Sequence, residues 1–184
     1  HLLRRGPGEH VVECQHAVRF TPAEVGLQLH DGVATCAAEA LGGAAPRVDL
    51  ATEKKNGDFV RGLISDGTIR AAHDLSDGGL GIAAAEMALG SDVGVTLGYQ
   101  GDLSDAAFLY AEDQARYLIA IPASKIDDLD KRARAAGVSY LVVGEAGGRD
   151  ISFLGSAGNR ERVSLEDLRK AHESWLPAYM KVAH

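Results

Sequence analysis

Residues 69–89 constrain the fold more than any other stretch, because they join a short apolar run, a glycine-rich turn and a helix of small residues. Ile69 to Ala72 predicts a short strand, and Gly81 to Leu89 predicts a helix that can lie close against a sheet. The segment His73 to Leu80 lies between them and contains two consecutive glycines. A strand, a tight turn and a closely packed helix are units of layered α/β folds.

Short strands and helices alternate along the rest of the chain from Asp49, which is placed to cap a helix running to Ile64. Further helices are predicted over 106–110, 125–136 and 164–180, the second opened by Ser124 and stopped by Gly137, the third opened by Ser164 with Asp167. Further strands are predicted over 94–97, 117–121, 141–143 and 151–154, with a turn over 144–150. We therefore predict an α/β (α+β sandwich) fold, with a mixed sheet of about six strands covered by about four helices.

The first part of the chain has a weaker pattern. Val11 to Phe20 predicts a strand, and a helix from Thr21 to Leu41 would end at two glycines. We predict that residues 1–47 are an N-terminal segment of the same domain that residues 48–184 form.

The composition of the chain argues against several classes of binding partner. The formal charge of −7 and the pI near 5.4 argue against binding to nucleic acid or to an anionic membrane, since both need clustered Lys and Arg. Cys14 and Cys36 form no zinc or disulfide pattern, and no apolar run approaches the roughly 20 residues that span a bilayer. We expect a soluble cytoplasmic protein, and its start at His1 indicates part of a longer product.

One loop concentrates chemically active groups at a strand end: His73, Asp74, Ser76, Asp77, Gly78 and Gly79. The helix that follows offers free backbone N–H groups, so the loop could bind substrate or phosphate. The two carboxylates would repel a phosphate, which favours the alternative of a tight turn whose Asp and Ser cap the helix. The residues alone leave both interpretations open.

A second cluster, Glu112, Asp113 and Arg116, precedes an apolar strand. It would suit either an ion pair at the start of the strand or a polar contact to a substrate. The run Asn56-Gly57-Asp58 lowers helix propensity inside the predicted first helix without a local gain, which indicates a contact elsewhere in the fold.

Three runs, Asp49 to Arg61, Ala72 to Leu80 and Ala111 to Tyr117, occur in this order at a spacing that resembles one family. This family is the C-terminal domain of the synthetase subunit of phosphoribosylformylglycinamidine synthase, within the aminoimidazole ribonucleotide synthase-related superfamily. The resemblance covers roughly Val48 to Met180. Family members usually carry glycine where this chain has Ala111 and Ala115.

The resemblance implies an ATP-dependent C–N ligase of purine biosynthesis. It converts formylglycinamide ribonucleotide to its amidine, using magnesium and ammonia from a glutamine amidotransferase component. The catalytic, ATP and metal groups of the family lie mainly in upstream domains, which would be partners of this chain. The resemblance therefore implies no catalytic residue, metal ligand or bound cofactor here, and an inactive isolated chain. The loop from His73 to Gly79 would face the cleft between domains, supported by Glu112, Asp113 and Arg116.

Two alternatives accompany this hypothesis. A duplicated domain of such an enzyme can lose its ligand contacts and serve as a scaffold. Another member of the superfamily, of the thiamine-monophosphate kinase or hydrogenase-maturation type, is disfavoured by the loop from Asp74 to Asp77 and by the run Glu112 to Tyr117.

Overall fold

The computed structural model describes residues 9–15, 48–98, 103–155 and 157–182. The strands are β1 (Glu9–Gln15), β2 (Ala71–Asp74), β3 (Val95–Gly98), β4 (Tyr117–Pro122), β5 (Ser139–Ala146), β6 (Asp150–Leu154) and β7 (Arg160–Ser164). The helices are α1 (Leu50–Ser65), α2 (Gly79–Ser91), α3 (Asp105–Tyr110), α4 (Ile126–Ala136) and α5 (Leu165–Val182), with a short 3-10 turn at Ala123–Lys125. The predicted helix from Thr21 to Leu41 lies outside the described residues.

The strands form one mixed sheet in the order β2-β4-β1-β5-β3-β6-β7. Neighbouring strands are antiparallel except β3 and β6, which are parallel. The predicted α/β class and mixed sheet are confirmed, and the described residues contain seven strands and five α-helices. The sequence pattern missed β7 because it is largely exposed and begins with Arg160-Glu161-Arg162, which lacks apolar alternation.

Helices cover both faces of the sheet at β4. Leu118 belongs to a core with residues of α2 and α3, such as Leu80 and Phe108. Ile119 points the other way and belongs to a core with α1 and α4, including Leu63. Successive strand residues face opposite sides, so one apolar strand supplies both cores. Within the described residues, no helix has the length and apolarity needed to cross a membrane.

Most predicted boundaries fall within two residues of the observed ones. Asp49 caps α1, its carboxylate accepting from the N–H groups of Ala51 and Thr52 at 3.0 and 3.2 Å. Ser164 opens α5 as predicted, with its hydroxyl 3.0 Å from the N–H of Asp167. The prediction that Ser124 caps α4 is wrong, because the chain enters α4 through the 3-10 turn and the cap residue is Lys125.

Two predicted strands are displaced or lengthened. β2 spans Ala71–Asp74, where the sequence predicted Ile69 to Ala72, because the polar pair His73 and Asp74 continues the ladder with β4. β5 continues to Ala146, into the predicted turn at 144–150, so the observed turn is confined to residues 147–149. Gly144 permits this, since a Cβ there would lie 2.1 Å from the carbonyl oxygen of Thr96.

Candidate functional site

The strand β2 separates the first two residues of the predicted loop. His73 lies opposite Leu118 and Asp74 opposite Tyr117, so their side chains face opposite sides of the sheet. His73 lines a cavity of about 660 Å³ between the sheet, α2 and α5, which we call the alanine groove. Asp74 lines a different cavity of about 350 Å³, which we call the acidic cleft; its lining is Glu53, Asp74, Leu75, Ser76, Asp77 and residues 112–116. The predicted site is thus divided between two cavities.

His73 is engaged on the groove side. Its Nδ1 lies 2.6 Å from the carbonyl oxygen of Asp74, and its Nε2 lies 2.9 Å from a carboxylate oxygen of Glu86 on α2. A carbonyl oxygen only accepts, so Nδ1 donates to it. These contacts hold the imidazole away from Glu112, Asp113 and Arg116. Glu86 carries no mark in the sequence, because which residue of α2 reaches His73 depends on how the helix packs on the sheet.

The N-terminus of α2 already faces a carboxylate of the chain. The N–H of Gly78 donates to Glu112 Oε1 at 2.8 Å, and Gly78 is the cap residue, with no side chain capping the helix. The interpretation in which Asp and Ser residues of the loop cap the helix is therefore wrong. The negative charge of Glu112 therefore lies at the helix terminus, where it would repel a bound anion.

Both glycines of the loop are required by the backbone. Gly78 has φ 80° and Gly79 has φ 63°, in the left-handed region. A Cβ on Gly79 would also lie 2.8 Å from the carbonyl oxygen of Ala111, so the two loops touch through their backbones.

Arg116 braces the second loop from inside. Its side chain is 9% exposed, Nη1 donates to the carbonyl oxygen of Ala111 at 2.6 Å, and Asp113 lies 3.7 Å away. Its own carbonyl oxygen accepts from the N–H of Leu75 at 3.0 Å. This geometry corresponds to an ion pair at the start of a strand, one of the two interpretations of this cluster.

Helix α1 supports the same loop. Asn56, only 1% exposed, donates from Nδ2 to the carbonyl oxygen of Ala115 at 2.9 Å. The hydroxyl of Tyr117 donates to Glu53 at 2.9 Å. The contact expected from the Asn56-Gly57-Asp58 run is therefore made by Asn56. Glu53 and Tyr117 lie in two of the runs that carry the family resemblance, but the sequence did not predict that they contact each other, because they are 64 positions apart.

The packing of the cleft wall shifts the pKa of Tyr117 and holds Ala115 in an unusual backbone conformation. Burial, reinforced by the hydrogen bond to Glu53, raises the pKa of Tyr117 to about 12. Ala115 has φ 65°, a left-handed conformation that costs a residue with a Cβ about 1–2 kcal/mol. We call the contacts that join α1 to residues 73–79 and 111–117 the braced junction.

The lining of the acidic cleft does not fit a nucleotide phosphate. Five carboxylates line it, from Glu53, Asp74, Asp77, Glu112 and Asp113. The guanidinium of Arg116 is turned to a backbone carbonyl. Carboxylates are suitable ligands for magnesium, yet within the described residues no three His, Cys, Asp or Glu side chains are grouped to hold a metal ion.

Comparisons with known proteins point to one family. The model of the family described as AIR synthase related protein, C-terminal domain, matches residues 25–155. The PurL subunit of phosphoribosylformylglycinamidine synthase from Sinorhizobium fredii is 47% identical over 138 residues, covering 75% of this chain and 18% of the relative. The PurL subunit from Caulobacter vibrioides is 53% identical over 138 residues, with the same coverage. This chain thus spans about a fifth of the length of these relatives.

Solved structures share the fold. The structure of PurLQS from Thermotoga maritima matches with a TM-score of 0.69 at 18% identity, over 91% of this chain and 27% of that one. T. maritima PurL complexed with ATP matches with a TM-score of 0.67 at 19% identity, over 91% of this chain and 26% of that one.

Proposed function

Because the chain belongs to the family of AIR synthase related proteins, C-terminal domain, we propose that it forms the C-terminal part of a PurL subunit of phosphoribosylformylglycinamidine synthase. The observation that carries this proposal is the identity of 47% over 138 residues to a PurL subunit, of which the chain spans only 18%. Because the similarity covers only a short segment of a long relative, it supports the interpretation that this chain is one part of such an enzyme rather than an independent enzyme.

On this proposal the whole enzyme is a cytoplasmic, ATP- and magnesium-dependent ligase. It converts formylglycinamide ribonucleotide to the amidine with ammonia that a glutamine amidotransferase component releases. Its other domains supply the nucleotide site, the metal ligands and the catalytic groups, so the isolated chain is inactive.

We propose that this chain forms one side of the active-site cleft of the whole enzyme. The negative lining of the acidic cleft and the engagement of Gly78 by Glu112 support a wall over a phosphate site. Arg116 and Asn56 hold the backbone of 111–117. The N–H groups of Leu75 and Gly78 donate to that segment, so the loop with Asp74 and Asp77 is held against it.

A chimera tests the proposal. The segment of C. vibrioides PurL that matches this chain over 138 residues, at 53% identity, is replaced by the corresponding residues of this chain. We expect the chimera to restore purine-independent growth to a bacterium lacking PurL, and to release ADP from ATP in the presence of magnesium, ammonium and formylglycinamide ribonucleotide. C. vibrioides PurL that lacks the segment is the control and should do neither. A folded chimera without activity would contradict the proposal.

Asp77→Asn in the same chimera distinguishes a wall that contacts ligand from a pure scaffold. Asp77 is exposed in the acidic cleft, so the change should leave the melting temperature unaltered. A large fall in turnover then supports contact with ligand, and unchanged turnover supports the scaffold. Glu112→Gln is the matched comparison, because Glu112 also lines the cleft but holds Gly78, so its loss should lower both stability and turnover.

A further inference from the structure

We propose that the C-terminal two thirds of α5 is the surface through which this chain docks onto the preceding domains of a PurL-type chain. We call residues 170–181 the C-terminal arm; every one of them is exposed. The inference rests on the proposed function, which says that such domains exist, and adds where this chain meets them.

The arm presents an apolar surface of large side chains. Trp175 is 66% exposed, Leu176 56%, Tyr179 60% and Met180 58%, all within six residues. The rings of Trp175 and Tyr179 are stacked with their centroids 5.5 Å apart. Single exposed apolar residues are ordinary, whereas a contiguous group marks a binding surface. Trp and Tyr are also the residues that most often dominate the energy of an interface.

The base of the arm is fixed to the body of the domain. Leu165 is 1% exposed, and its N–H donates to the carbonyl oxygen of Arg149 at 2.9 Å. Arg169 donates to the carbonyl oxygen of Leu89 at the end of α2, at 3.0 Å. The apolar surface is therefore held in one orientation before it meets a partner, which lowers the entropy lost on docking.

A second copy of this chain is a poor occupant of the arm. The seam of Leu168, His172, Trp175 and Tyr179 follows helical spacing but covers only about two heptads, fewer than the three or four that a stable coiled coil needs. Pro177 interrupts the hydrogen bonding of the arm. Each copy also carries a formal charge of −7, so two copies repel.

The preceding domains of the longer chain are the better occupant. The relatives extend far beyond this segment, since 138 matched residues make up 18% of their length. The arm also borders the alanine groove, whose lining includes His172 and Glu173, so the two form one continuous surface on the α2 side of the sheet. A domain packed there would cover apolar groups of both.

The single tryptophan of the chain makes the test direct. The 184-residue chain is labelled with 5-fluorotryptophan and mixed with unlabelled C. vibrioides PurL that lacks the matched segment. We expect the ¹⁹F resonance of Trp175 to shift as the two proteins co-sediment. Intact C. vibrioides PurL is the control; its own matched segment should exclude the labelled chain.

A paired substitution gives the second readout. Leu176→Ser with Tyr179→Ser should weaken binding by at least about tenfold. Leu50→Ser is the matched control, because Leu50 is 75% exposed on α1, which packs on the other face of the sheet, and it should bind like the parent.

Three results would overturn the docking surface. The first is co-sedimentation with an unshifted resonance and an unaffected double variant, which would leave the proposed function standing. The second is a resonance that changes with the concentration of the chain alone, together with dimers in sedimentation, which would assign the arm to a second copy. If the shortened partner does not fold, the double substitution is instead made in the active chimera. The third result is then that the melting temperature of the chimera is unchanged. An inactive parent chimera would instead remove the proposed function on which the inference rests.

Discussion

The braced junction and the C-terminal arm differ in which side chains they bury. In the junction, polar groups such as Asn56 and Arg116 are buried and spend their hydrogen bonds on the backbone of 111–117. In the arm, Trp175 and Tyr179 stand mostly in solvent. Among the described residues, the buried polar groups of the junction find partners within the chain except Asn56 Oδ1, which has none, whereas the large apolar side chains of the arm face solvent. Mutations in the junction should therefore change the stability of the isolated chain, whereas mutations in the arm should change only its association.

The largest effect is expected at Gly79. Gly79→Ala places a Cβ 2.8 Å from the carbonyl oxygen of Ala111 at φ 63°, so clash and backbone strain together should lower the free energy of unfolding by about 3 kcal/mol. Urea unfolding followed by circular dichroism measures it. Gly62→Ala is the control, because Gly62 lies in α1 with nothing within 4 Å, and it should stabilise by up to about 1 kcal/mol. Equal effects would show that the two loops are not in backbone contact.

Asn56 should come next. Asn56→Ala removes the hydrogen bond to Ala115 and leaves a buried carbonyl without a donor, which should lower the free energy of unfolding by about 2 kcal/mol. Lys54→Ala on the same helix removes an ion pair whose lysine is 77% exposed, and should cost less than about 0.5 kcal/mol. If Asn56→Ala is as mild as Lys54→Ala, α1 does not brace the junction.

Tyr117 gives the junction a dependence on pH. Tyr117→Phe removes the hydrogen bond to Glu53 and should lower stability by about 1 kcal/mol at neutral pH. The pKa of Tyr117 is raised from 10.0 to about 12, so the folded state holds the phenol proton more tightly than the unfolded state. This contribution is complete below pH 10 and is lost as the pH rises towards 12. The difference between parent and variant should shrink over that window, and a constant difference would contradict the assignment.

Ala115 should respond in the opposite direction. Ala115→Gly relieves a left-handed φ of 65°, and after the entropy lost by glycine it should stabilise the chain by about 0.5–1 kcal/mol. Ala111→Gly is the matched control four residues earlier, at an ordinary φ of −69°, and should destabilise by a similar amount. Thermal melts of both variants against the parent measure the signs, and equal signs would contradict the strain at Ala115.

The smallest effect should be in the arm. Trp175→Ala should change the free energy of unfolding of the isolated chain by no more than about 0.5 kcal/mol, since the indole is 66% exposed. Urea unfolding by circular dichroism again measures it. A loss comparable to that of Asn56→Ala would mean that the arm packs within this chain, and the contrast with the junction would fail.

Much of the fold could be predicted from local signals. The cap at Asp49, the glycine turn before α2 and the apolar pattern of β4 each act over a few residues, and the structure confirms them. The strand β7 was not predicted, because an exposed edge strand needs no apolar alternation. The resemblance drawn from the three ordered runs is confirmed by the family match and by the PurL relatives.

The candidate site was harder to predict because its contacts are not local. The pairing of Gly78 with Glu112 joins residues 34 positions apart, and that of Asn56 with Ala115 joins residues 59 apart. Such partners follow from how the sheet and helices assemble. The sequence marked Gly78 and Glu112 as candidate site residues and Asn56 as a poor helix former inside a helix, but it did not predict their partners. Whether the residues of the acidic cleft touch a ligand stays a prediction.

The position of β1 has a consequence for how the chain comes together. β1 lies between β4 and β5, so among the described residues it alone joins the ladder β2-β4 to the ladder β5-β3-β6-β7. β1 precedes the other described strands in the chain, yet it pairs with β5 across more than 120 residues, so this part of the sheet cannot form before the residues up to Ala146 are present. Removal of residues 9–15 would leave β4 and β5 each with an unpaired edge, and a peptide of that sequence could be supplied separately to pair with both.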